Sequence, residues 1–267
     1  MHPASEYYIH TAMGPSHDIS LYSNVRDRDL RREGILIAEG RHLVGRLMAS
    51  GLEVLSILCG ERMADEFRDR ARGRCTLHVL NNDEVERLAG FPFHRGVMAA
   101  ATRPVIIPLE RFLSENGACR NLVICPRLSG DENLGSIIRT SAALGADAVI
   151  IGPQSCDPFS RRSLKASMGA AFSIPIVTMD EGERPFALLK RHGFIVYSAS
   201  TGEASISLHA ARPSERRAAV FGNEAEGLPD SIASLCDEII HVPMHHNTDS
   251  LNVAVAAGII LYALFGP

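Results

Sequence analysis

From Arg120 onwards, short and wholly apolar runs alternate with amphipathic stretches, and this alternation limits the fold more than any other feature of the chain. A run such as Ala148-Val149-Ile150-Ile151 leaves no polar side chain for a solvated face, which is the pattern of parallel strands covered on both sides. Strands are predicted at Asn121–Cys125, Ala148–Ile151, Ile174–Val177, Phe194–Ala199, Ala218–Phe221 and Glu238–Val242. Helices are predicted at Leu134–Leu144, Arg161–Ser167, Pro185–His192, Pro229–Leu235 and Ser250–Leu264. The expectation is an α/β unit with a parallel sheet over residues 120–267.

The preceding half has a different texture. A smaller α/β unit is read from about Arg28 to Arg103, with strands at Ile35–Glu39, Val54–Cys59, Thr76–Leu80 and Gly96–Ala101. Helices fall at Arg41–Ser50, Glu61–Arg72 and Asn82–Leu88, the last opened by Asn81 or Asn82 as cap. Pro104, Pro108 and Gly117 mark residues 104–119 as a linker with a short helix, Leu109–Ser114, so the domain boundaries are 1–103 and 120–267.

Composition removes several classes of function. The longest apolar stretch, Leu251 to Phe265, falls short of the roughly 20 residues a membrane span needs. Met1 to Tyr22 lacks the basic-then-apolar order of a signal peptide, so a cytoplasmic protein is expected. Six scattered cysteines without a C-x-x-C pair read as reduced structural thiols, not as a zinc site. A net charge of −4 argues against indiscriminate coating of nucleic acid but leaves room for local basic patches. Two are present: Arg26, Arg28, Arg31, Arg32 and Arg41, and later Arg161, Arg162 and Lys165.

The usual ways of giving a parallel sheet a function are missing, since neither G-x-G-x-x-G, G-x-x-x-x-G-K-[ST] nor G-x-S-x-G occurs. Three other segments stand at strand ends or helix starts, where such folds build their sites. In the first, Asn133-Leu134-Gly135-Ser136-Ile137-Ile138-Arg139-Thr140, Asn133 reads structurally as an N-cap. Arg139 lies about 150° from the centre of the apolar stripe, as a surface arginine would. In the second, Phe221-Gly222-Asn223-Glu224-Ala225-Glu226-Gly227-Leu228, the glycines suit a tight turn, and Gly222 would also let a ligand approach the backbone. In the third, Val242-Pro243-Met244 ends a strand, and Ser250-Leu251-Asn252 opens a helix with Ser250 as a good cap. Asn252, placed inside that helix, is poorly suited to it and asks for another role.

In this order and spacing the three segments resemble the signature motifs of the SpoU (TrmH-type) RNA ribose 2′-O-methyltransferases of the SPOUT superfamily. The resemblance implies a SPOUT catalytic domain with a deep trefoil knot. It also implies transfer of a methyl group from S-adenosylmethionine to a ribose 2′-hydroxyl in structured RNA, either rRNA or tRNA. By motif position, the catalytic residues would be Asn133, Arg139, Glu224, Ser250 and Asn252. The cofactor would be held by Gly222, Asn223, Gly227, Val242, Pro243, Met244 and Leu251. A homodimer through the C-terminal helix is implied, with Ala254, Ala256, Ala257 and Gly258 allowing close helix approach. The segments Gly34–Arg41 and Phe93–Ala99 resemble the start and last strand of the family's accessory L30e-like RNA-binding domain.

One departure stands out. His245-His246-Asn247-Thr248-Asp249 occupies a loop where relatives carry small residues and glycine, yet no further ligand at suitable spacing supports a metal site. Two alternatives remain open at this point: an RNA-binding protein of the same fold without turnover, and a SPOUT enzyme that methylates a base.

Overall fold

The computed structural model describes residues 19–23, 26–90, 96–200, 205–212, 214–223, 226–246 and 250–266. The chain divides into two compact units, Met1–Pro104 with Phe159–Arg161, and Val105–Pro158 with Arg162–Pro267.

The first unit runs α1 (Asp27–Arg32), β1 (Ile35–Glu39), α2 (Arg41–Ala49), β2 (Val54–Gly60), α3 (Glu61–Ala71), β3 (Thr76–Leu80), α4 (Asn82–Ala89) and β4 (Val97–Thr102). Its sheet has the order β1-β4-β2-β3, antiparallel except between β2 and β3. Asn81 opens α4 with a full capping box shared with Glu84, which satisfies two amides at the helix start. Helix α1, absent from the sequence reading, carries Arg28, Arg31 and Arg32 exposed, while Arg41 is held by Glu66 at 2.8 Å.

Tyr22, in the polar and aromatic lead-in, is a core residue of this unit and is 3% exposed. Strand β2 has a register shift between Val54 and Ser56, and beyond it Ser56 stands opposite Ala100. The Tyr22 hydroxyl enters at this point, donating to the Ser56 carbonyl (2.8 Å) and accepting from the Ala100 amide (3.1 Å). Tyr22→Phe would leave both backbone groups buried and short of a partner, so a loss of about 2–4 kcal/mol of stability is expected. Urea unfolding followed by circular dichroism measures it, and a loss below about 0.5 kcal/mol would show that the bulge is satisfied without the hydroxyl.

The second unit contains β5 (Ile107–Pro108), α5 (Leu109–Glu115), β6 (Asn121–Cys125), α6 (Asp131–Ala143), β7 (Ala148–Ile151), α7 (Arg161–Ala166, of which Arg161 falls to the first unit) and β8 (Ile176–Thr178). There follow α8 (Glu183–Arg191), β9 (Ile195–Ala199), β10 (Ile206–Ser207), β11 (Arg217–Val220), α9 (Asp230–Ala233), β12 (Glu238–His241) and α10 (Val253–Phe265). The eight strands form one sheet in the order β10-β12-β9-β11-β6-β7-β8-β5, and every pair is parallel. Leu122, Val123, Ile124 and Cys125 are all fully buried, as an apolar run between two layers of helices requires.

Several boundaries differ from the sequence reading. Strand β8 begins at Ile176 because Pro175 has no amide to donate; its carbonyl still accepts from Val149. The stretch read as a linker adds edge strand β5, which was not expected, and its expected short helix is α5, whose Leu109, Phe112 and Leu113 enter the core. The helix expected over Pro229–Leu235 is a single turn with no buried residue. Burial pushes the thiols of Cys59 (to about 12) and Cys236 (to about 11) up, and all six cysteines are unbridged. Among the described residues no helix is long and apolar enough to cross a membrane.

Candidate active site

The strand ends and loops of the second unit enclose a cavity of about 510 Å³. It opens over the C-terminal ends of three neighbouring parallel strands, at Ala199–Ser200 after β9, Phe221–Gly222 after β11 and His241–Val242 at the end of β12. Carboxyl ends of parallel strands are where open α/β sheets bind ligands. The start of α10 closes the cavity through Ser250, Leu251 and Asn252. Of the residues predicted to hold a cofactor, Gly222, Asn223, Gly227, Val242, Met244 and Leu251 line it, whereas Pro243 is exposed beside them.

The helix starts correct the sequence reading. Helix α6 begins at Asp131 with Gly130 as its N-cap, so Asn133 lies in the first turn and caps nothing. Helix α10 begins at Val253, and its cap is Asn252 where Ser250 had been expected. The Asn252 Oδ1 accepts from the amides of Ala254 (2.9 Å) and Val255 (3.4 Å), which gives this residue the structural role that a mid-helix asparagine would lack. Asn252 Nδ2 donates to Asn133 Oδ1 at 3.0 Å, joining the first and third segments across 119 positions of sequence.

The second segment is tied to the loop that leads into α6. Asn223 Nδ2 donates to Ser129 Oγ at 3.1 Å, and Arg127 lies 3.7 Å from Glu226. The loop closes on itself through paired backbone hydrogen bonds between Asn223 and Gly227 (2.8 and 2.9 Å). Gly222 is needed for this closure, because a Cβ there would stand 2.5 Å from the backbone of Gly227. This close approach is made by the chain itself; Gly222 also lines the cavity, so the approach of a ligand that its missing side chain would permit is a separate matter. Glu224 lies outside the described residues, as do Asn247–Asp249 and Phe93–Arg95.

Arg139 is exposed on α6, does not line the cavity, and makes no side-chain hydrogen bond or ion pair among the described residues. Gly135 sets the position of α6, since a Cβ would meet Ser163 O at 2.4 Å and Ala166 Cβ at 2.6 Å. Helix α10 packs on α6, and its small residues serve that contact: Ala257 is fully buried, and Gly258 faces Thr140. The other face of α10 exposes Val255, Ile259 and Tyr262.

The sequence reading missed four polar residues here: Ser129, Arg127, Ser200 and His241. His241 lines the cavity, with Nδ1 hydrogen-bonded to Ser205 Oγ at 2.9 Å. Ser200 and His241 lie at the C-terminal ends of predicted strands, and that position alone was a usable signal.

The comparisons with known proteins fit this geometry. Residues 120–262 match the model of the SpoU rRNA Methylase family. The "Uncharacterized tRNA/rRNA methyltransferase" of Mycobacterium tuberculosis is 32% identical over 234 residues, which are 86% of this chain and 80% of that protein. The 23S rRNA (guanosine-2′-O-)-methyltransferase RlmB of Acinetobacter baylyi is 34% identical over 191 residues, 70% of this chain and 77% of the relative. Among solved structures, the AdoMet-bound rRNA methyltransferase from Sinorhizobium meliloti superposes with a TM-score of 0.78 at 23% identity, covering 93% of both chains. That last likeness concerns the fold alone, an α/β architecture on a parallel sheet. The match over the whole of the parallel-sheet unit's motifs, together with relatives similar along most of the chain, places this protein in the SpoU rRNA methylase family.

Proposed function

We propose that this protein transfers a methyl group from S-adenosylmethionine to a ribose 2′-hydroxyl of rRNA or tRNA, acting in the cytoplasm. The observation that carries the reading is the convergence of the second and third motif segments on one cavity, to which the first segment is joined by the Asn252–Asn133 hydrogen bond of 3.0 Å. The relative from Acinetobacter baylyi, named for 2′-O methylation of guanosine, favours ribose over base as the target.

The cavity suits such a cofactor. Its volume of about 510 Å³ is in the range of small-molecule sites, and its walls combine apolar side chains with the polar Ser200, Asn223, Glu226, His241, Ser250 and Asn252. The amides of Met244 and Leu251 make no hydrogen bond among the described residues and can meet polar edges of a ligand. Gly222, Asn223, Gly227, Val242, Pro243, Met244 and Leu251 would hold S-adenosylmethionine, largely through backbone atoms. The chemistry it supplies when bound is a methyl group activated by attachment to a sulfonium.

The chain's own work is to align the hydroxyl and to stabilise the charge that develops on its oxygen. Arg139 is assigned the second task. A guanidinium is a planar charged donor and a poor base, so the task is electrostatic and not proton abstraction. Asn133 and Glu224 orient the ribose and Arg139, while Ser250 and Asn252 complete the site. The same reading implies the trefoil knot and an RNA-binding role for residues 1–103. Calorimetry with S-adenosylmethionine, NAD and ATP, followed by mapping of 2′-O-methyl nucleotides lost on gene deletion, tests it. Heat from NAD alone, or a methylated base with intact riboses, would reject it.

The exposed face of α10 is assigned to a second copy of this chain. Val255 (52% exposed), Ile259 (40%) and Tyr262 (68%) follow the i, i+4, i+7 spacing of one helical stripe. Ala257 is buried within the chain and is therefore a poor probe of this surface. Ile259→Arg is expected to weaken dimerisation at least about 100-fold, by placing like charges across an apolar contact. Light scattering at micromolar concentration reads the change, and a dimer retained in the variant would assign the interface elsewhere.

A further inference from the structure

We infer that the outer face of α7, which carries Arg162 and Lys165, grips phosphates of the substrate RNA and holds the strand beside Arg139 on the neighbouring α6. The inference rests on the methyltransferase reading above and deepens it, by naming a part of the surface that receives the RNA.

The second basic patch of the sequence, Arg161, Arg162 and Lys165, is split by the fold. Arg161 falls to the first unit and is neutralised there, with its Nε 2.8 Å from Asp27 Oδ1 and its Nη1 3.6 Å from Glu39 Oε1. Arg162 and Lys165 are exposed, and neither side chain makes a hydrogen bond or an ion pair among the described residues. Exposed cations elsewhere do find carboxylates, as Arg111 finds Glu115 at 2.7 Å and Arg184 finds Glu110 at 2.9 Å. The two charges on α7 are left for a partner outside the chain.

The direction they face follows from the packing of α7. A Cβ on Gly135 of α6 would stand 2.4 Å from Ser163 O, 2.6 Å from Ala166 Cβ and 3.0 Å from Ser167 N, so this side of α7 lies directly on α6. Ser163 Oγ also donates to the Asp131 carbonyl at 3.2 Å, which ties α7 to the first turn of α6. Leu164 is fully buried on another side. What remains for solvent is the side of Arg162 and Lys165, which stand three residues apart and share one face. On α6, Arg139 follows Gly135 by four residues, about 40° further round the helix, on the α7 side of its exposed face. Three cations thus stand on the outer sides of two helices in direct contact. Glu132, exposed on α6, forms no ion pair with any of them.

An RNA backbone suits this surface. Fixed cations neutralise phosphates and hold a strand without reading its bases, and such contacts dominate affinity. The chemistry itself does not involve α7, so Arg162 and Lys165 are binding residues and not catalytic ones.

The test measures RNA binding and methyl transfer separately in the full chain. Arg162→Gln, Lys165→Gln and the double variant are compared with the wild type by filter binding to unmodified 23S rRNA and tRNA transcripts over a range of salt. Single-turnover transfer from tritiated S-adenosylmethionine is followed in parallel. Arg191→Gln on α8 controls for the loss of an exposed charge, since Phe186 and Leu189 of that helix enter a core with no residue of α6 or α7. The double variant is expected to bind RNA at least about 10-fold more weakly at about 0.1 M salt, with the slope of log affinity against log salt reduced by about 1 to 2. The rate at saturating RNA should stay within about threefold and the Kd for S-adenosylmethionine within about twofold, while Arg191→Gln should alter RNA binding less than about twofold. The inference is overturned if the double variant binds RNA within about twofold of wild type or keeps the full salt slope. It is equally overturned if Arg191→Gln weakens binding as much, or if the loss lies in the saturated rate or the cofactor Kd. RNA binding that depends on α7, in a protein that transfers no methyl group, would support the α7 surface and defeat the methyltransferase reading. A wild type that binds neither transcript would overturn both.

Discussion

Arg139→Ala is expected to lower methyl transfer at least about 100-fold while leaving the affinity for S-adenosylmethionine within about threefold. Arg139 is exposed on α6, lies outside the cavity wall, and has no side-chain hydrogen bond or ion pair among the described residues. Its removal should therefore change folding stability by less than about 0.5 kcal/mol, as for other surface substitutions without special partners. The whole effect must then appear where the guanidinium meets the reacting oxygen or the RNA. A 100-fold loss corresponds to about 2.7 kcal/mol, the amount a single charge-stabilising group contributes in other active sites. Arg139→Lys should recover part of the rate, because the charge is kept while the planar fork is lost. Single-turnover rates and calorimetric Kd values for the three proteins decide the matter. If Arg139→Ala keeps half the wild-type rate, the residue is an ordinary surface arginine, and stabilisation of the oxyanion must be sought in another group.

How much of this was legible in the sequence depended on what each residue has to satisfy. Asn121–Cys125, Ala148–Ile151 and Thr76–Leu80 were placed correctly to the residue, because a short apolar run bounded by polar residues has few other uses. Strands β5 and β10 span two residues each, too short to show any period. Tyr22 was unreadable for a different reason: its role depends on a bulge between strands that lie further along the chain. In the site, residue types at strand ends pointed to the loops, and the family resemblance supplied their roles. The assignment of caps failed where two good candidates stood close together. Ser250 and Asn252 both suit an N-cap by residue type, and it is Asn252 that meets the free amides of Ala254 and Val255. The Asn252–Asn133 contact is set by the packing of α10 on α6, which no local pattern in either segment encodes.

Gly222→Ala should produce the opposite split from Arg139→Ala, with cofactor affinity falling at least about 100-fold. The added Cβ would stand 2.5 Å from the carbonyl carbon and oxygen of Gly227 and 2.6 Å from the Leu228 nitrogen, all of them backbone atoms. No rotamer change relieves such contacts, so the loop must move. Its movement cannot stay local, because Asn223 and Gly227 hold each other through two backbone hydrogen bonds and Asn223 also reaches Ser129. Asn223, Glu226, Gly227 and Leu228 all line the cavity, so a displacement of this loop reshapes a whole wall of it. A misplacement of about 1 Å in groups that position a ligand is enough for a loss of this size. The buried sheet beneath, with Val220 and Phe221 fully enclosed, should keep the far-ultraviolet circular dichroism of the variant close to that of the wild type. The measurement is calorimetric titration with S-adenosylmethionine and with its demethylated product, which should lose affinity together because both would share the same wall. An affinity within threefold of wild type for both ligands would mean that the Gly222–Leu228 loop is not part of the cofactor site. The cavity would then have to take its ligand against the Val242–Met244 and Leu251 side alone.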